Sequence, residues 1–232
     1  VPVACVLSIT HVLLKSSAAI VYAVLAFPLV FFTGRRTASA VALVMCATVL
    51  TYPLLRAADA FPTATILEGV RRVSYERAQS LDFRFRNEDV LLERARLRPW
   101  LGWGSWGRPR VCDADGRDLA VTDGAWIITL GNRGAVGLLA IFGVLVSASL
   151  TGLRALGRLR RLDGVLLCAL TWIQIFFVVD LIPNASGFTL ALYLSGCLVG
   201  FSDMLQRQNT RRTVDPGRTH QRWSTFDHLR SR

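Results

Sequence analysis

Hydrophobic and polar positions in this chain are sorted into blocks. Apolar runs fill residues 18–33, 37–55, 133–153, 164–182 and 186–204, and a shorter one covers 1–14. A bilayer core of about 30 Å takes roughly 20 apolar residues in helix, so the five longer runs read as crossings. The first, too short and without the start or cleavage site of a signal peptide, reads as the trailing end of another. Backbone groups in hydrocarbon find no water to bond, which leaves helix as the state available to them. The expected fold is all-α, a polytopic transmembrane helical bundle of about five full spans plus a partial N-terminal one. Its parts are N-terminal membrane helices over 1–55, a polar interval over 56–132, C-terminal membrane helices over 133–205, and a polar, disordered tail over 206–232.

The pattern changes period inside the polar interval. Between Thr65 and Leu81, apolar Ile66, Leu67, Val70 and Val73 alternate with Arg71, Arg72 and Arg77 at helical spacing, which predicts an amphipathic helix lying in the membrane interface. Asn87 reads as the N-cap of a second helix, with Glu88 and Asp89 at the positive end of its dipole, and Pro99 stops it. The run Gly102-Trp103-Gly104-Ser105-Trp106-Gly107 predicts a tight turn at headgroup depth, and Asp115-Gly116 predicts a hairpin. Thr122 or Asp123 then caps a helix that runs on through Gly131, Arg133 and Gly134 into the membrane.

Composition sharpens this picture in one respect. Hydrophobic residues make up 52% of the 232, yet the net charge is +11, nearly all of it arginine, with Lys15 the one lysine. Basic clusters at Arg35/Arg36, at Arg154/Arg158/Arg160/Arg161 and at Arg207/Arg211/Arg212 alternate with the uncharged turn 183–187. By the excess of Lys and Arg in cytoplasmic loops, the clusters lie inside with the C-terminus. The polar interval then becomes a large extracytoplasmic loop containing short helices, and the plasma (inner) membrane of a cell is the expected location. Nucleic-acid binding is disfavoured, since no basic stripe or recognition motif accompanies the charge. The five cysteines show no CxxC spacing, and the three histidines, His11, His220 and His228, are scattered; neither set points to a metal.

The chemistry gathers in the interval. If the segment is helical, Arg77 and Arg84 stand on one face with Ser80 and Leu81 between them, and a pair of guanidinium forks suits the oxygens of a diphosphate. Ion-pairing with Glu76, Asp82 or Glu88 is the plainer use of the same arginines. Asp123, the acid nearest the next apolar run, suits a general base acting on a sugar hydroxyl, or simply a helix cap. Trp103, Trp106 and Trp126 suit stacking on sugar rings or anchoring at the interface. Asp180, near the outer end of a span, is costly to bury and is a site candidate on that ground.

These residues, in this order, resemble the C-terminal half of the bacterial O-antigen ligase and O-antigen polymerase superfamily. The segment Arg98-Pro99-Trp100-Leu101-Gly102-Trp103-Gly104 is similar to its Gly-x-Gly turn after proline. The segment 123–134, DGAWIITLGNRG, is similar to its terminal motif, with Asp123 and Gly124 where the family has His and Asn. The resemblance implies an inverting glycosyl transfer without cofactor, nucleotide sugar or metal. The donor would be an undecaprenyl-diphosphate-linked glycan and the acceptor a glycan hydroxyl, with membrane lipids and other polysaccharide-assembly proteins as partners. It assigns Arg77 and Arg84, with Arg86, to the diphosphate and Asp123 to the acceptor. It also implies that further helices precede Val1, so that this chain alone need not be active. A transporter-like subunit or a non-catalytic scaffold of envelope polysaccharide assembly is the competing expectation; a transporter would carry polar residues within several spans.

Overall fold

The computed structural model describes residues 35–105, 107–156 and 161–214, together with Val24 and Pro28. The expected crossing at 18–33, the run at 1–14, the histidines and the end of the tail lie outside the described residues. The described residues form six helices: α1 Arg35–Ala57, α2 Thr63–Val73, α3 Tyr75–Arg96, α4 Ala125–Leu156, α5 Arg161–Asp180 and α6 Phe188–Val214. No strand occurs among the described residues, so the all-α expectation holds for them. Three helices, α1, α4 and α6, are long and apolar enough to cross a membrane, and α5 contains a shorter apolar stretch, Gly164–Asp180. Five full spans are thus more than these residues contain. The last helix continues past the predicted end of the membrane run at 204 to Val214, taking the first part of the expected tail with it.

The apolar helices pack as a bundle in which α4 touches α1, α5 and α6. Its interior is held by Trp126, Phe142, Leu145, Trp172, Ile175 and Val178, all fully or almost fully buried. Close approach is set by small residues: a side chain on Gly152 would lie 2.4 Å from the Thr171 hydroxyl and 3.1 Å from Leu198. Between α5 and α6, Gln174 Nε2 donates to Ser195 Oγ at 2.7 Å. The outward faces stay apolar, with Leu43, Val44, Leu139, Val144, Leu166 and Val199 exposed. Apolar side chains that find no protein partner over the length of several helices are what a lipid-facing surface requires.

The polar interval departs from its expected form. The helix predicted over 65–81 is cut at Ser74, whose extended backbone (φ −157°, ψ 121°) ends α2 and whose hydroxyl accepts from the Arg77 amide at 3.4 Å, capping α3. Asn87 is accordingly no cap. It sits inside α3, donating to the Phe83 carbonyl at 2.6 Å and accepting from the Val121 amide at 2.7 Å. Ser74 outcompetes it because an extended residue with a side-chain acceptor fits only at a chain break, while Asn87 is flanked by good helix formers. The stop before Pro99 is as expected, with α3 ending at Arg96. Asp115-Gly116 does turn the chain, with a single bridge between Cys112 and Asp118 and an Asp113 carboxylate that collects the amides of Asp115 and Arg117.

The helix expected to run smoothly into the membrane is broken. Gly134 has φ 64° and ψ −168°, so α4 is two helical segments joined by a kink. Four of its backbone groups are taken by the preceding turn. The amides of Trp103 and Gly104 donate to the carbonyls of Gly131 and Asn132, both at 2.8 Å, while the amides of Ala135 and Val136 donate to those of Pro99 and Trp100 at 2.8 and 3.2 Å. Only glycine fits on either side of this seam. A Cβ on Gly102 would lie 2.6 Å from backbone atoms of residues 132–134, and one on Gly134 would lie 2.2 Å from the Trp100 carbonyl. The two stretches that carry the family resemblance are thus hydrogen-bonded to each other.

Candidate functional site

The kink decides where the candidate residues come together. From Gly134 to Leu156 the rise is about 33 Å, close to that of the 20-residue α5, so the segment before Gly134 is not needed to span the bundle. Instead its first amide, on Ala125, bonds the carbonyls of Leu181 and Asn184 at 3.0 and 3.2 Å, in the turn between α5 and α6. Gly124 makes this approach feasible, since a side chain there would meet the Ile182 carbonyl at 2.4 Å. The same contact leaves no room for an asparagine at this position. From the other side Arg84 of α3 donates to the Pro183 carbonyl at 3.1 Å. The polar interval and the 181–187 turn therefore sit at the same end of the bundle.

At that junction lies a cavity of ≈ 280 Å³, its walls mostly apolar and its polar groups few: Arg84, Glu88, Asp123, Asn87 and the Tyr52 ring with its hydroxyl. Leu81, Phe85, Leu91 and Ile127 supply much of the apolar lining. A concave apolar site with a few convergent polar groups is the usual form of a ligand site. Arg84 and Asp123 both line it. The other expected members are elsewhere. Arg77, seven residues before Arg84 on the same helix, is exposed and does not line the cavity, and neither does the exposed Ser80. Arg86 faces a separate groove and pairs with Asp82 at 2.7 Å. Trp126 is fully buried, edge-on to Tyr52 at 5.4 Å. Trp103 carries the guanidinium of Arg94 3.7 Å and that of Arg98 4.5 Å from its ring, and its indole donates to the Arg94 carbonyl at 3.0 Å. Both tryptophans thus hold the fold together. Trp106 lies outside the described residues. Asp180 accepts from Asn184 at 3.0 Å and so stiffens the turn beneath the cavity.

One acidic group of the cavity was missed in the sequence. Glu88 accepts from the Tyr52 hydroxyl at 2.7 Å and from Arg56 Nε at 3.0 Å, both on Oε2. Arg56, in the last turn of α1 and only 4% exposed, also donates to the Phe85 carbonyl at 3.1 Å and to Asp89 at 2.9 Å. Its guanidinium lies 5.1 Å from the centre of the Phe85 ring. Burial pushes the Glu88 carboxyl above its ordinary value, outweighing the bonds from Tyr52 and Arg56 that favour its charged form. The indole N–H of Trp126 lies near the same carboxylate without a hydrogen bond of normal geometry. A signal for Glu88 was present in the sequence: Ala78, Leu81, Phe85, Glu88, Leu92 and Ala95 recur at 3 and 4, which puts this carboxylate in the inward stripe of α3. Reading Asn87 as a cap hid it.

Comparison of the chain with family models, with curated proteins and with solved structures gives no match.

Proposed function

We propose that the chain is the C-terminal part of a membrane-embedded inverting glycosyltransferase of the O-antigen ligase or polymerase kind, acting on a glycan carried by undecaprenyl diphosphate. The observation that carries this reading is the cavity shared by Arg84 and Asp123 at the end of a bundle of apolar helices, where a lipid-borne substrate would present its headgroup. Arg84 matches the charge that builds on the diphosphate as it leaves. Asp123, exposed at the rim, accepts the proton of the acceptor hydroxyl. The hydroxyl oxygen then bonds the anomeric carbon from the face opposite the diphosphate, the bond from that carbon to the diphosphate oxygen breaks, and the configuration inverts. Arg77 stands two turns along α3, about 10 Å away and outside the cavity lining, so Arg84 carries the diphosphate contact in this reading. In this reading the chain lies in the plasma membrane with residues 56–132 outside and the C-terminus in the cytoplasm.

Cells carrying the full-length gene with Arg84→Ala or Asp123→Ala test it. Loss of long glycan chains is the expected result for each, with Arg84→Lys restoring little because a point charge does not replace the fork. Normal glycan length in either alanine variant, at normal protein level, removes the catalytic assignment and leaves the scaffold reading.

A further inference from the structure

The strongest feature outside the cavity is a foot of bare apolar side chains on the loop after α3. Leu97, Trp100 and Leu101 are 67%, 71% and 74% exposed, although they lie in the polar interval. Their position is fixed rather than loose: Pro99 and Trp100 give their carbonyls to Ala135 and Val136 of α4, just after its kink at Gly134. Val136 and Leu139, on the same part of α4, are themselves about half exposed. The bare patch of the loop is thus continuous with the apolar surface of a helix long enough to span a membrane. Around it stand Arg96, Arg98 and Arg133, each exposed, with Arg96 paired to Asp59.

We infer that this foot is inserted into the outer edge of the bilayer, with Trp100 and Leu101 below the headgroups and the arginine rim against anionic phosphates. An indole with a polar edge and an apolar body settles at that depth, and long arginine stems reach back from it to the phosphates. Water would charge for the exposed area of two large side chains, whereas lipid accepts it. Charge also selects the occupant, since an arginine rim suits anionic lipid better than it suits a second copy of the same basic chain. The consequence is mechanical. Because the loop is sewn to the Gly134 kink, the membrane holds one end of the segment 125–133, whose other end forms the cavity rim. This holds whether or not the cavity is catalytic.

The test is nitroxide accessibility on the full chain in nanodiscs of mixed phosphatidylglycerol and phosphatidylethanolamine, with the native cysteines replaced. Labels go at Trp100→Cys and Leu101→Cys, with Leu139→Cys as the lipid reference and Asp115→Cys as the aqueous one. The ratio of oxygen to nickel-chelate collisions at both foot positions is expected to approach that at 139 and to exceed that at 115 by roughly tenfold, since oxygen partitions into hydrocarbon and the chelate does not. A ratio at 100 and 101 equal to that at 115 would mean a foot in water and overturns the inference. Low collision rates with both reagents would mean that protein covers the patch, and overturns it too. Agreement of the two independently labelled positions guards against distortion by either substitution.

Discussion

Single residues decide how this molecule holds its polar interval to its membrane helices. Arg56 and Glu88 form a buried pair whose loss leaves an uncompensated charge, so Arg56→Met is expected to destabilise by about 3–5 kcal/mol in denaturant titrations in micelles. The double variant Arg56→Met/Glu88→Leu should recover most of that, since an apolar pair of similar volume needs no desolvation. The pH dependence follows from the raised pKa of Glu88. A carboxyl easier to protonate folded than unfolded contributes stability below its ordinary value of 4.5, and that contribution is lost as pH rises through the folded pKa. Stability profiled upward from pH 4.5 should therefore fall in the wild type and be flatter in Glu88→Gln, compared each against its own value at low pH. At Gly134 the constraint is steric: its positive φ and the Trp100 carbonyl predict that Gly134→Ala costs about 3 kcal/mol, whereas Gly143→Ala, with open space around it, gains up to about 1 kcal/mol.

Elements meet through closely matched surfaces of two kinds. Within the bundle, α4, α5 and α6 approach at Gly152, where there is no space for a branched side chain; Gly152→Val should destabilise by about 2 kcal/mol and loosen helix packing, read as faster amide exchange in α5. Between loop and helix the match is made by hydrogen bonds, and here the sequence was only half legible. Its Pro-Trp-Leu-Gly-Trp-Gly turn and its Leu-Gly-Asn-Arg-Gly run were each visible as motifs. That they pair across the kink depends on amides and carbonyls of residues some 30 apart, which carry no mark of their partner in the side chains. The same limit hid the break at Ser74. Local propensity favours helix on both sides of it, and only the packing of α2 back along α3 shows that the chain must turn there.

On the scale of the whole molecule, the contacts of the 181–187 turn with Arg84 and Ala125 put that turn and the polar interval at one end of the bundle. The free, exposed Cys112 near the hairpin turn gives a direct probe of sidedness. In intact cells producing the full-length protein, a membrane-impermeant maleimide should label Cys112 but not Cys197, which is exposed on α6 within a candidate span; labelling of Cys112 only after lysis would invert the proposed topology. Block-wise hydropathy by itself determined the helical class, the positions of the main apolar helices and the polar interval, because hydrocarbon leaves a backbone no alternative to its own internal bonds. Helical spacing from Arg77 and the resemblance pointed to Arg84, and nearness to the next apolar run pointed to Asp123. Tertiary structure alone decided that these two share a cavity while Arg77, Ser80 and Arg86 do not line it, that Trp103 and Trp126 are structural, and that Glu88 belongs with Arg56. Side-chain direction depends on where a helix begins and what it packs against, and both are settled by contacts between residues distant in the chain.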